Sequence, residues 1–171
     1  MQRFVRAAVA AVGVMIGGMA SAQTPKLPDL PPALKSSLAP YLEVSATGVQ
    51  IYTCKNDNGT WTWVFKAPEA QLFDTQKKQI GKHYAGPTWE ALAGGKVVAG
   101  AKGNAPAPEA GAIPWLLLDI KSSEGTGVFN QAKGILRVAT HGGVAPAQGC
   151  DAARAGEETR VPYTATYLFL K

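Results

Sequence analysis

The chain has little of what most enzymes are recognised by. It holds no G-x-G-x-x-G after a strand, no Walker loop, no G-x-S-x-G elbow and no H-E-x-x-H. That removes the common nucleotide-binding, nucleophile-elbow and zinc-protease chemistries. Two histidines in the whole sequence exclude a His-rich metal centre. No window longer than about 11 residues sustains the 3.6-residue apolar period of a helix, and no repeat recurs at a solenoid or propeller spacing. Beyond Met19 no apolar run approaches the roughly 20 residues a bilayer-spanning helix needs, so no membrane span is expected after the leader. The basic residues are scattered, with Lys77-Lys78 the only adjacent pair. No basic stripe forms, and nucleic acid is not an expected partner.

What is present begins with a leader. Arg3 and Arg6 give a positive start, Ala7 to Met19 run without a charge, and Ala20-Ser21-Ala22 supplies the small-x-small pattern of a cleavage site. Residues 1–22 therefore read as a signal peptide, and the remainder as an exported protein, periplasmic or extracellular. Two of the 17 basic residues and none of the 12 acidic ones lie in that leader, so a mature chain from Gln23 carries 15 against 12, a net +3. The two cysteines, Cys54 and Cys150, form an even set in an exported chain, which reads as a disulfide.

Residues 23–40 hold five prolines and little periodicity. They read as an extended arm that drapes over the domain, with a short helical turn near Ala33–Leu38. From residue 41 to residue 171 the sequence reads as strands. Gly48–Cys54 and Thr60–Lys66 flank Asn58-Gly59, the strongest short hairpin signal, because a two-residue type I′ turn needs φ > 0 at both positions. That turn sets Cys54 opposite Trp63 and Tyr52 opposite Phe65, and collects Tyr52, Cys54, Trp61, Trp63 and Phe65 on one inward-pointing face, with the disulfide sulfur against an indole and at least one of Trp61 and Trp63 in the core. Ile113–Ile120 is a continuous apolar run and predicts a strand covered on both sides, with Trp115 in the core. Gly134–Thr140 alternates, which assigns Leu136 and Val138 to the inner face. Val161–Leu170 alternates too, with Tyr163, Ala165, Tyr167 and Phe169 together. The pattern predicts an all-β chain: a single antiparallel β-sandwich or barrel-like domain, with long loops at 73–95 and 100–112.

The most distinctive segment is His83-Tyr84-Ala85-Gly86-Pro87-Thr88-Trp89-Glu90. A histidine, aromatics and a carboxylate around a Gly-Pro turn suit a small binding or acid–base site, with Gly86-Pro87 folding His83, Trp89 and Glu90 to one concavity. Trp89, alone among the four tryptophans in a loop-like setting, is the candidate for stacking on a ligand. A structural reading competes, and the usual burial of tryptophan and histidine favours it: a tight turn, Trp89 plugging the core edge, His83 bonded to a carbonyl. His141, in Thr140-His141-Gly142-Gly143, would stand at the site's rim or simply be exposed in a turn, the reading its turn chemistry favours. His83, His141, Glu69 and Glu90 include the donors of a two-His, carboxylate set, but no local spacing fixes them, so neither a metal nor a cofactor is expected.

Gly48–Cys54, Trp63, Ala67–Ala70, His83–Glu90, Ile113–Leu117, Thr140–Gly143, Cys150-Asp151 and Val161–Ala165 occur in an order that resembles an exported bacterial and fungal family of unknown function. Some fungal members carry a malate dehydrogenase label. This chain lacks the dinucleotide fingerprint and strand–helix alternation such an enzyme needs. The expectation is an exported binding or surface-interaction module that takes a glycan or another small extracellular ligand through residues 83–90. The alternatives are a hydrolase- or lyase-like enzyme using His83 with Glu90 or Glu69, and a structural envelope protein.

Overall fold

A computed structural model describes residues 24–171; the leader expected at residues 1–22 lies outside the described residues. Eight strands form one antiparallel sheet that closes in a ring, each paired with its sequence neighbours and the last with the first. They are β1 (Pro40–Asp57), β2 (Thr60–Phe73), β3 (Gln79–Tyr84), β4 (Thr88–Ala91), β5 (Lys96–Ala105), β6 (Trp115–Glu124), β7 (Gly134–Gly142) and β8 (Glu158–Leu170). Of the two sheet architectures the sequence allowed, the ring is the one formed. The stretch 73–95 expected as a long loop instead holds the short strands β3 and β4, and β5 runs through 105. Their few residues and the Gly-rich turns between them hid the period-2 signal.

The β1–β2 hairpin follows its turn chemistry. Asn58 and Gly59 both take positive φ, 49° and 89°, and the register pairs Cys54 with Trp63 and Tyr52 with Phe65. Ile51 pairs with Ala67, so Lys66 is an extra residue, a bulge that bends the hairpin where it leaves the ring. Cys54 and Cys150 are disulfide-bonded, with Cα atoms 5.4 Å apart. Trp63 donates its Nε1–H to the Gln148 carbonyl at 3.0 Å, so the bridge and the indole together pin the β7–β8 connection against the hairpin. Trp61 and Trp63 are half-buried rather than core.

The apolar residues sort into two layers. Inside the ring lie Val44, Leu72, Trp89, Val97, Leu118, Phe129, Ile135, Tyr163, Tyr167 and Phe169. Outside it, Leu117, Leu136, Val138, Leu168 and Leu170 form a strip covered by Leu27, Leu30, Leu34 and Leu38 of the proline-rich segment. This corrects the assignment of Leu136 and Val138 to the inner face. They face outward beneath the arm, and Ile135 and Arg137 take the inner positions. The two-sided cover also explains the unbroken apolar run of β6: Leu116, Leu118 and Ile120 serve the interior, Trp115 and Leu117 the strip. Trp115 is therefore half-buried under the arm. A 3-10 turn at Pro32–Leu34 seats the fully buried Leu34. The backbone comes in so closely that a Cβ on Gly103 would stand 2.2 Å from the Ala33 carbonyl oxygen, a site only glycine tolerates.

One end of the ring is plugged. The β6–β7 connection folds Phe129 inward, where its ring stacks on Phe169 at 4.6 Å, and Tyr41 donates its hydroxyl to the Val128 carbonyl at 2.8 Å. The other end, where β2, β4 and β6 begin, is not filled.

Candidate functional site: a cavity at the open end of the ring

Eight strands enclose an interior just wide enough to be filled by side chains or to hold one small ligand. Here the filling stops short. A cavity of about 380 Å³ remains, with Trp89, Leu118 and Tyr167 deep in it and Phe65, Pro87 and Pro114 among its walls. Every strand but β5 contributes to the lining.

His83 and Trp89 are cross-strand partners in the β3–β4 hairpin, so both point into the ring. Their rings stack at 4.1 Å, and Tyr167 meets both edge-on at 5.3 Å. His83 Nδ1 lies 2.8 Å from the Thr88 carbonyl, which can only accept, so Nδ1 carries the proton and donates it, leaving Nε2 unprotonated. Burial drives the His83 pKa down to about 3; the Thr88 contact opposes the shift and the Arg137 charge adds to it. The imidazole is neutral at ordinary pH.

Strand alternation then separates the rest of the candidate set. Gly86-Pro87 does fold the segment back, with Gly86 at φ 108°. Glu90, next to an inward residue, points out. There it accepts from the Tyr84 hydroxyl at 2.6 Å and pairs with Lys82 at 3.4 Å. The expectation that His83, Trp89 and Glu90 share a concavity is corrected to His83 and Trp89 alone. Trp89 itself is 1% exposed, so it forms the cavity's inner wall rather than a free stacking face. His141 pairs with Thr164, the neighbour of inward Tyr163, and is therefore turned outward, where it meets the Glu109 carboxylate. Glu69 is an outer residue paired with Arg160 at 2.8 Å. His83, His141, Glu69 and Glu90 are thus not brought together, and among the described residues no three His, Cys, Asp or Glu side chains converge.

The structure adds residues that the sequence reading missed. Arg137 projects inward from β7 into the cavity, where Nε and Nη2 donate to the Pro114 carbonyl at 3.1 and 2.9 Å. Gln50 is 2% exposed; its side chain opposes the upward pKa shift of the Tyr163 phenol, and its Nε2 has no hydrogen-bond partner. Tyr52 lines the opening and donates to the Gly143 carbonyl at 2.6 Å. A signal for Arg137 existed: it is the one Asp, Glu, Lys or Arg between Lys133 and Asp151, set in the middle of an otherwise apolar strand. A charge in that place needs either solvent or a purpose.

An antiparallel eight-stranded ring, plugged at one end and carrying an aromatic, polar-seeded cavity at the other, defines the class of protein. The chain belongs to the family described as Protein of unknown function (DUF3455), whose model matches residues 35–171. No curated protein and no solved structure matches it.

Proposed function

We propose that this protein is an exported binding module that holds one small molecule in the cavity at the open end of the ring. The observation that supports it is the lining. Aromatic and apolar walls surround a few convergent polar groups, in a volume at the low end of the range typical of small-molecule sites. The walls suit a compact ligand with an apolar body better than a glycan, whose many hydroxyls would be left unpartnered against Leu116, Leu118 and Pro114. An acid–base role for His83 has less support. No carboxylate among the described residues touches it, and a histidine held that far below neutrality is a weak base.

The test is a thermal-shift screen of the mature chain against small acids, amines, neutral aromatics, glycans and divalent metals, since a ligand of the native state raises its apparent stability. Hits should quench or shift tryptophan emission and perturb the NMR signals of Tyr52, Phe65 and Trp89. Phe65→Ala, at a rim residue 53% exposed, should weaken those hits with little change in the unliganded melting temperature. Hits whose perturbations fall elsewhere, or a screen without hits, would count against the reading.

A further inference from the structure

The same cavity carries information about the charge of what it holds. None of the side chains lining it is Asp or Glu. It has two cations, Lys66 and Arg137, and they are not equivalent. Lys66 is committed to Glu158 at 2.5 Å on the outer side of the bulge. Arg137 has no carboxylate partner among the described residues. Two of its N–H groups share a single carbonyl oxygen, that of Pro114. A guanidinium offers five donors in a planar fork and no acceptor; besides the Pro114 carbonyl it leans on the Tyr167 hydroxyl, and the rest of its capacity is unspent.

The other unmet groups have the same sense. Gln50 Nε2 and Trp89 Nε1, on two of the lining residues, are buried and lack acceptors. Both are donors. Leaving such groups unpaired in an apolar setting costs free energy that a bound acceptor would return. The positive field of Arg137 acts across the space, opposing the upward pKa shifts of Tyr52, Tyr163 and Tyr167 and deepening the downward shift of His83.

Resting on the reading of this cavity as the binding site, we propose that its ligand is a small monocarboxylate with an apolar or aromatic body. The carboxylate sits on the Arg137 fork, and the body lies against Trp89, Leu116, Leu118 and Tyr167. A single unpaired cation matches a single negative charge; a phosphate dianion would bury a second charge against apolar walls with no partner. Bidentate pairing of carboxylate with guanidinium is the geometry the fork is built for.

The experiment compares hydrocinnamate with hydrocinnamamide, a neutral molecule of nearly the same shape, and with a neutral alkylbenzene, by calorimetry and NMR on the mature protein at neutral pH. Hydrocinnamate should bind and perturb the signals of Gln50, Trp89 and Tyr167. The amide should bind about ten- to a hundredfold more weakly, the factor a charge-assisted pair supports. Arg137→Gln should lose about the same factor for the acid and much less for the amide, and Arg137→Lys should recover part of it. Equal affinity for acid and amide overturns the charge inference and leaves the cavity reading standing. So does wild-type affinity for the acid in Arg137→Gln. If neither acid, amide nor alkylbenzene enters the cavity, both fall. Should Arg137→Gln not fold, the acid–amide comparison on the unaltered protein decides alone.

Discussion

Protonating His83 should be the steepest single contribution to acid unfolding of this protein. The ring is buried, its Nδ1–H is committed to Thr88, and the groups packed on it are Trp89, Tyr167 and the Arg137 charge, with no carboxylate to stabilise an imidazolium. Its folded-state pKa is pushed down to about 3 from the ordinary histidine value of 6.5. The group is therefore neutral in the folded state where the unfolded chain binds a proton. The stability it confers is full above the unfolded pKa and is lost as pH falls from 6.5 toward 3. The slope in that window is about 1.4 kcal/mol per pH unit. The loss from this residue alone is then about 2 kcal/mol between about pH 7.5 and about pH 5, with a ceiling near 5 kcal/mol over the whole interval. His83→Phe keeps a ring stacked on Trp89 and removes the titration. Urea unfolding of both proteins at several pH values should give curves that converge as pH falls, the variant losing about 2 kcal/mol less over the upper step. Contributions from the rest of the chain are common to both and cancel in the difference. Parallel curves would refute the buried, neutral state of His83.

The remaining expectations concern the frame. Thiol titration of the denatured, unreduced protein should find no free sulfhydryl. Reducing the Cys54–Cys150 bridge, which closes a loop with a sequence separation of 96, should lower stability by about 2–5 kcal/mol in denaturant melts. Trp89→Ala should cost about 3–5 kcal/mol, because the side chain is 1% exposed, and a cost below about 1 kcal/mol would contradict its place in the core. Leu34→Ala should cost about 2–5 kcal/mol although it lies in the proline-rich segment, since the leucine is fully buried against the outer strip; a surface-like value under about 0.5 kcal/mol would mean the segment hangs free.

Much of the frame was legible because local chemistry dictated it. Asn58-Gly59 demanded a type I′ turn, and the turn set the pairing of Cys54 with Trp63. Tyr163, Ala165, Tyr167 and Phe169 share the interior as their alternation required. Alternation failed on β7, where both faces are apolar: Leu136 and Val138 look like a core face until the arm is known to cover the outside. Period alone does not say which of two buried faces is the inner one. The site was half legible for the same reason. The segment 83–90 was read as a loop, in which neighbouring residues converge. It is a hairpin, in which they alternate, so His83 and Trp89 stay together and Glu90 leaves. Arg137, the centre of the proposed carboxylate site, reached the cavity from a strand 54 positions from His83. No spacing rule links residues that only ring closure makes neighbours.

That closure has a kinetic consequence. The strand that completes the ring, β8, is the last of the eight in chain order, and it pairs with the first: Pro40 lies opposite Leu170 and Thr53 opposite Glu158. Until the final strand is available, β1 keeps an open hydrogen-bonding edge and the interior keeps a gap where Tyr163, Tyr167 and Phe169 belong. No amino-terminal fragment can nucleate the finished structure, and the loop to be closed spans nearly the whole domain. Folding should therefore wait for β8 and be slow for the domain's size, in the millisecond-to-second range of β topologies dominated by distant pairings.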